Sequence, residues 1–186
     1  MSTLRIAHRY AESLYGVAKQ ANVLDQVYAD SKFLYTLSQN DELKPFLKNP
    51  LIKVEQKQAV FTALLKDKVQ TETLNAVLVL TAHKREAVLA EFCNEFEKFY
   101  FQEKHISVAR LVTAENISDA RVQEIIAEFQ ANGFLDKEVR LEREVKPELI
   151  GGFVLYFNDK VYDASVAYKL ELLEKQFSEN LYIKNF

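Results

Sequence analysis

The hydrophobic pattern of this chain changes period once, near residue 105, and no other feature limits its fold as strongly. Before that point apolar residues recur at three- and four-residue steps; beyond it, short segments alternate residue by residue. A helical period cannot bury itself as a strand, nor an alternating one as a helix, so two units of different kind are required. Gly and Pro divide at the same place. Residues 1–105 hold one Gly (Gly16) and two Pro (Pro45, Pro50), and residues 106–186 hold three Gly and one Pro. Charge divides too, with 14 basic against 13 acidic side chains before Ile106 and 10 against 14 from there on. No Ser/Gly-rich linker marks the junction, so a helix running straight into a strand is expected. The expected fold class is α+β overall, an N-terminal six-helix bundle over 1–105 followed by a small α+β C-terminal domain with a β-hairpin over 106–186.

In the first half, helices are expected at about 3–20, 22–38, a short piece around Leu43, Phe46 and Leu47, then 53–66, 71–83 and 86–104. The second should bury Leu24, Val27, Tyr28, Ser31, Leu34 and Leu37. The fourth should bury Ala59, Val60, Ala63 and Leu64, and the sixth carries Leu89, Phe92, Cys93, Phe96, Phe99 and Tyr100 on one stripe. Asn40 and Asp41 offer a cap for the third helix, and Asn49-Pro50 offers its stop. Short connections imply mostly antiparallel neighbours. In the second half, Ile106, Val108 and Val112, and Val139, Leu141 and Val145, read as the inward positions of two strands. Between them Ser118 should cap a helix with Val122, Ile125, Ile126 and Phe129 on one face, ended by Asn132-Gly133. Gly152 to Phe157, Asn158-Asp159 and Lys160 to Tyr162 read as a hairpin, and Asp163 as the cap of a closing helix carrying Val166, Leu170, Leu173 and Phe177.

Composition narrows the functional classes. With 48% hydrophobic side chains and a net charge of −3, the chain has enough apolar surface to order itself. The near balance of 24 basic and 27 acidic residues gives no general pull toward nucleic acid. A single Cys forms no internal disulfide and no four-thiolate metal site, which suits a reducing compartment. The longest apolar run, Ala76 to Leu80, is far short of the ~20 residues of a spanning helix, and the first ten residues lack a signal-peptide core.

Side chains for catalysis are sparse. His8, His83 and His105 each lack a second ligand at helical spacing, and Cys93 falls on a core stripe. Gly151-Gly152 leads into a strand with no Gly-Lys-Ser/Thr, so it is a bend rather than a phosphate loop. Glu142/Glu144 and Glu91/Glu95/Glu97 read as solvated faces. No catalytic residue, metal site or cofactor site is expected, and an enzyme with a pocket near His105 is the least supported reading.

What stands out is surplus apolar surface on the first and fifth helices. Leu4, Ala7, Ala11, Leu14 and Ala18 make a core stripe, and Ile6, Tyr10 and Val17, with Ser13 among them, widen the arc to roughly 200°, about twice what one buried face needs. Leu74, Val77, Leu78, Val79, Leu80 and Ala82 leave the fifth helix almost no polar face. Three explanations stand: both helices are central in their own bundle, Asn75 to Ala82 is a buried strand, or the two helices flank an open groove that receives an amphipathic helix from another protein. A soluble helical adaptor would share that groove.

Ala7-His8-Arg9-Tyr10-Ala11 at the start, Phe46 to Pro50 followed by Lys57, and Asn75 leading to Arg85 form an ordered set. It is completed by Leu149 to Phe153 leading to Val161-Tyr162-Asp163-Ala164-Ser165-Val166. The whole resembles the delta subunit family of F-type ATP synthases, whose mitochondrial branch is the oligomycin sensitivity-conferring protein. The resemblance spans the chain and implies a non-catalytic stator subunit of a proton-translocating synthase. One copy per complex, monomeric when isolated, would tie the top of the catalytic alpha/beta head to the b subunits of the peripheral stalk, without inserting into the membrane. It implies that the N-terminal domain grips an alpha-subunit N-terminal helix with Ile6, Tyr10, Ser13, Leu14 and Val17 from the first helix and Asn75, Leu78, Val79 and Ala82 from the fifth. It implies that the C-terminal domain meets the b subunits on the side of Gly151, Gly152 and Phe153. Ala164, where the family frequently has Gly, and an unusually aromatic hairpin depart from the pattern. The start of the chain carries no transit peptide, which points to the cytoplasmic face of a bacterial cell membrane.

Overall fold

The computed structural model describes residues 3–49, 51–158 and 160–179. The stop at Pro50 and the Asp159 half of the hairpin turn lie outside the described residues. Two compact units meet between Lys104 and His105. Among the described residues the secondary structure is α+β, with eight α-helices and one four-stranded sheet.

Six α-helices precede the sheet: α1 (Thr3–Gln20), α2 (Leu24–Ser38), α3 (Leu43–Lys48), α4 (Val54–Leu65), α5 (Thr71–Ala82) and α6 (Leu89–Lys104), with a 3-10 turn Glu86–Val88 leading into α6. On α1 the buried residues are Ala7, Ala11, Leu14 and Ala18, one stripe at four-, three- and four-residue steps. Three alanines let its backbone lie close to the bulky stripe of α6, where Leu89, Phe92, Cys93 and Phe96 are buried. Tyr15 stacks on Phe99 at 5.5 Å and closes the same seam. Leu4, by contrast, is exposed.

Two charged contacts inside this unit are invisible to periodicity. Asp30 of α2 is buried and its Oδ2 accepts from the Gln70 backbone N–H at 2.7 Å and the Thr73 hydroxyl at 2.9 Å. The first turn of α5, which has no side-chain cap of its own, is therefore capped from a neighbouring helix. On α4 the buried residues are Lys57, Phe61 and Leu65, not Ala59, Val60, Ala63 and Leu64, which face outward. The run from Ala59 to Leu65 is apolar on every side except Thr62, so periodicity left the face open; the larger Phe61 and Leu65 take the core. Lys57 follows them inward, where its ammonium pairs with Glu86 and donates to the Leu47 carbonyl at 3.2 Å. Removing one member of such a buried pair strands the other charge, at a cost of about 3–5 kcal/mol.

The second unit runs β1 (Ile106–Thr113), α7 (Asp119–Ala131), β2 (Glu138–Val145), a 3-10 turn Pro147–Leu149, β3 (Phe153–Phe157), β4 (Lys160–Asp163) and α8 (Val166–Glu179). The sheet order is β2-β1-β3-β4, with β1 and β2 parallel and the other two pairs antiparallel. A parallel neighbour needs a crossover, and α7 supplies it. Ser118 caps α7 by accepting from the Arg121 N–H, and Gly133 at φ +71° ends it, both at the positions the sequence marks. Asn158, at φ +49° in the two-residue β3–β4 connection, fits a hairpin turn.

Of the inward positions expected on β1, Val112 is buried and Ile106 half-buried, but the cluster under α7 is met by the other phase. Ala109 and Leu111 lie opposite Phe157 and Leu155 of β3 and join Val122, Ile125 and Phe129 of α7 in one cluster, whereas Val108 is 40% exposed. Strand β1 is apolar in both phases, so alternation could not choose; the helix packed on the sheet does. Val139 and Leu141 of β2 face the same cluster, while Val145 is exposed at the strand end. Ser165, rather than Asp163, caps α8: its Oγ accepts from the Tyr168 N–H at 3.1 Å, and Asp163 in turn accepts from the Ser165 N–H at 2.8 Å.

Candidate docking groove

Helices α1 and α5 pack side by side, and along their outer seam lies an open cavity of about 330 Å³ lined by Ile6, Arg9, Tyr10, Ser13, Val79 and Arg85. Residues 6, 9, 10 and 13 share one face of α1 by their three- and four-residue spacing. Ile6 and Tyr10 are partly buried at the edge of the core, as is Leu78 of α5. Ser13, Val17, Asn75, Val79 and Ala82 are exposed, Val79 to 45%. Leu14 departs from its expected place: at 4% exposure it belongs to the unit's own core and no partner can reach it. Because α5 turns Thr73, Val77, Leu80 and Thr81 inward, it is a surface helix with an apolar outer face, and neither a strand nor a helix buried all round.

The lip of the groove is set by the turn that ends α5. Lys84 has φ +55°, its N–H donates to the Thr81 carbonyl, and the Arg85 N–H donates to the Leu80 carbonyl at 2.9 Å. This is a Schellman closure, with a lysine bearing the left-handed residue. It directs Arg85 back across the seam, where its Nη1 donates to Tyr10 Oη at 3.3 Å and the guanidinium sits 5.7 Å from the Tyr10 ring centroid. Tyr10 is further flanked by the His83 ring at 6.3 Å. Arg9 and Arg85 are outside the expected groove set, because apolar surplus does not single out cations; the three-residue step from Ile6 to Arg9 is the signal that puts Arg9 on the same face of α1.

On the opposite side of α1, His8 Nδ1 lies 2.8 Å from Glu95 Oε2 and Lys98 donates to Glu95 Oε1 at 2.6 Å. Glu95 is thus a buried anchor between α1 and α6 rather than part of a solvated face. Burial pushes its carboxyl up, but the bonds from Lys98 and His8 outweigh burial and hold it below the usual carboxylate range.

In the second unit, Gly151, Gly152 and Phe153 serve the unit's own architecture. Gly152 has φ +74°, and a Cβ there would stand 2.3 Å from the Ala164 carbonyl oxygen; a Cβ on Gly151 would touch Val166 at 3.0 Å. The Val166 N–H donates to the Gly151 carbonyl and the Ala164 N–H to the Phe153 carbonyl, so this segment seats the start of α8. Phe153 packs against the Phe129 cluster. The apolar residues that do face outward are on α8 itself: Val166, Leu170, Leu173 and Phe177, the last 77% exposed, follow one another at helical steps.

Among the described residues no three His, Cys, Asp or Glu side chains gather as metal ligands, and no helix is long and apolar enough to cross a membrane. A helical unit with an open two-helix groove, followed by a small sheet unit whose last helix exposes an apolar stripe, defines an α+β protein of two units. The family model of the ATP synthase delta (OSCP) subunit matches residues 6–177, and the chain belongs to that family. It is 35% identical over 184 residues to ATP synthase subunit delta of Flavobacterium psychrophilum, with 96% of this chain and 99% of that one covered. To the Cytophaga hutchinsonii subunit delta it is 31% identical over 182 residues, covering 97% and 98%. The chloroplastic subunit delta of Pyropia yezoensis is 32% identical over 164 residues, with 88% of each covered. Among solved structures, a chain of the Toxoplasma gondii mitochondrial ATP synthase hexamer, determined by cryo-EM, superposes with a TM-score of 0.72 at 29% identity, covering 94% of this chain and 98% of that one. The chain is therefore a non-catalytic structural subunit of F-type ATP synthase, a peripheral-stalk component linking to the catalytic head.

Proposed function

We propose that the six helices of the first unit act as one bundle whose α1–α5 groove takes the N-terminal helix of an alpha subunit, and that the second unit holds the b subunits. One copy of the chain then ties head to stalk on the cytoplasmic face of a bacterial cell membrane, which keeps the head from turning with the central shaft. The observation that carries this reading is the apolar lining of the seam, half-buried Ile6 and Tyr10 with exposed Val79 around a cavity of about 330 Å³, on helices that already have a complete core stripe beneath. Each aliphatic or aromatic side chain covered there contributes about 1.5–3 kcal/mol, enough for a durable anchor without a continuous charged interface. On the second unit, the outward stripe of α8 is the surface that supports a b-subunit contact, with Gly151 and Gly152 positioning the helix.

The test is a calorimetric titration of the protein with a synthetic alpha-subunit N-terminal helix. Tyr10→Asp and Val79→Asp should each weaken binding by several kcal/mol, because each removes an apolar anchor and sets a charge where the partner's apolar stripe must lie; the helical circular dichroism of both, and the melting of Val79→Asp, whose site is exposed, should stay the same. Unchanged titration curves would remove the groove assignment.

A further inference from the structure

Arg9 and Arg85 line the same cavity, and no Asp or Glu lines it. Among the described residues neither guanidinium has a carboxylate partner; the side-chain contacts of Arg85 are the Tyr10 hydroxyl and ring. In a chain of net charge −3, this places two unbalanced positive charges in one small apolar seam. Arg85 is not free to swing away, since the turn at Lys84 fixes its backbone and Tyr10 holds one of its five N–H donors. The remaining donors stay available at the lip of the cavity. Arg9 reaches the seam from the opposite wall, beside Ile6 and Ser13 on the same face of α1.

The geometry points to a partner helix that carries an Asp or Glu beside its apolar stripe, received jointly by Arg9 and Arg85. This inference rests on the groove reading above and adds the chemistry of the occupant. An apolar stripe alone fits a seam in either direction and slides by a turn at little cost. A single carboxylate held between two guanidiniums on opposite walls fixes both direction and register, and a helix lacking it would leave both cations under apolar cover with no counter-charge. The clamp therefore serves selectivity among amphipathic helices more than raw affinity.

The experiment uses the full-length protein and two synthetic peptides: the alpha-subunit N-terminal helix, and the same peptide with every Asp and Glu replaced by its amide. The native peptide should bind about tenfold or more tightly than the amide peptide at low salt, a gap that narrows at roughly half-molar salt. The Arg9→Gln, Arg85→Gln double variant should bind both peptides equally, since no cation is then left in the seam to receive the carboxylate. Arg85→Lys, which keeps the charge but loses the fork, should fall between. Equal binding of the two peptides by the unaltered protein overturns the clamp. In that event Val79→Asp separates the causes: if it still abolishes binding, the groove stands and only the clamp falls; if it does not, the groove reading falls with it.

Discussion

Cys93 shows how a single side chain reports on the whole helical core. It is buried between α2 and α6, where Ser31 donates to its carbonyl at 3.4 Å, and burial pushes its thiol up to about 12, with the Ser31 hydroxyl pulling the other way. In the unfolded chain the thiol ionises near 8.5. A raised value stabilises the folded state fully below the unfolded value and is lost as pH climbs toward the folded one, so above about pH 8.5 each unit should remove about 1.4 kcal/mol. Denaturant titrations of the protein and of Cys93→Ala at pH 8 and pH 10 should therefore converge by about 2 kcal/mol; parallel shifts in the two proteins would contradict the burial. The residue scale is also where the sequence was least legible. Cys93 was placed correctly because its own helix supplies the stripe, but Glu95, two residues on, depends on His8, 87 positions away in sequence. Lys57 and Asp30 are buried for the same kind of reason, partners that no local period encodes. Arg9 and Arg85 stand in the family pattern, but apolar excess gives a cation no place in the groove.

At the scale of single elements, legibility followed the contrast within each pattern. Helix α7, polar outside and capped by Ser118 and Gly133, was readable in position and face. Helix α4 and strand β1, apolar in more than one phase, were readable in kind but not in orientation, which only the neighbouring helix or strand decides. The closing helix was readable in kind and in its stripe, and among the described residues that stripe stays exposed. Gly152 governs the joint between strand β3 and that helix. Gly152→Ala should lower the stability of the second unit by about 2–5 kcal/mol, from a left-handed backbone and a Cβ driven against the Ala164 carbonyl. Gly133→Ala, with a similar φ of +71° but open space around it, should cost only about 1 kcal/mol. Amide hydrogen exchange confined to the second unit measures both, and equal effects would mean that crowding at Gly152 is relieved by a small shift.

For the molecule as a whole, the two hydrophobic clusters share no residue: one runs from Ala7 to Phe96, the other from Ala109 to Phe157. Each unit thus carries its own source of stability, and the change of period near residue 105 marked their boundary in the sequence. A fragment of residues 1–104 should fold and bind the alpha-subunit helix within about twofold of the full chain, while a loss beyond about tenfold would show that the second unit supplies part of the receiving surface. Helix α5 adds a mechanical point. Asp30 holds its first turn and the bridge from Arg85 to Tyr10 holds its last, so this wall of the seam is fastened at both extremities. A wall pinned at both tips cannot fray from either one, so its outward side chains keep their spacing from the first turn to the last.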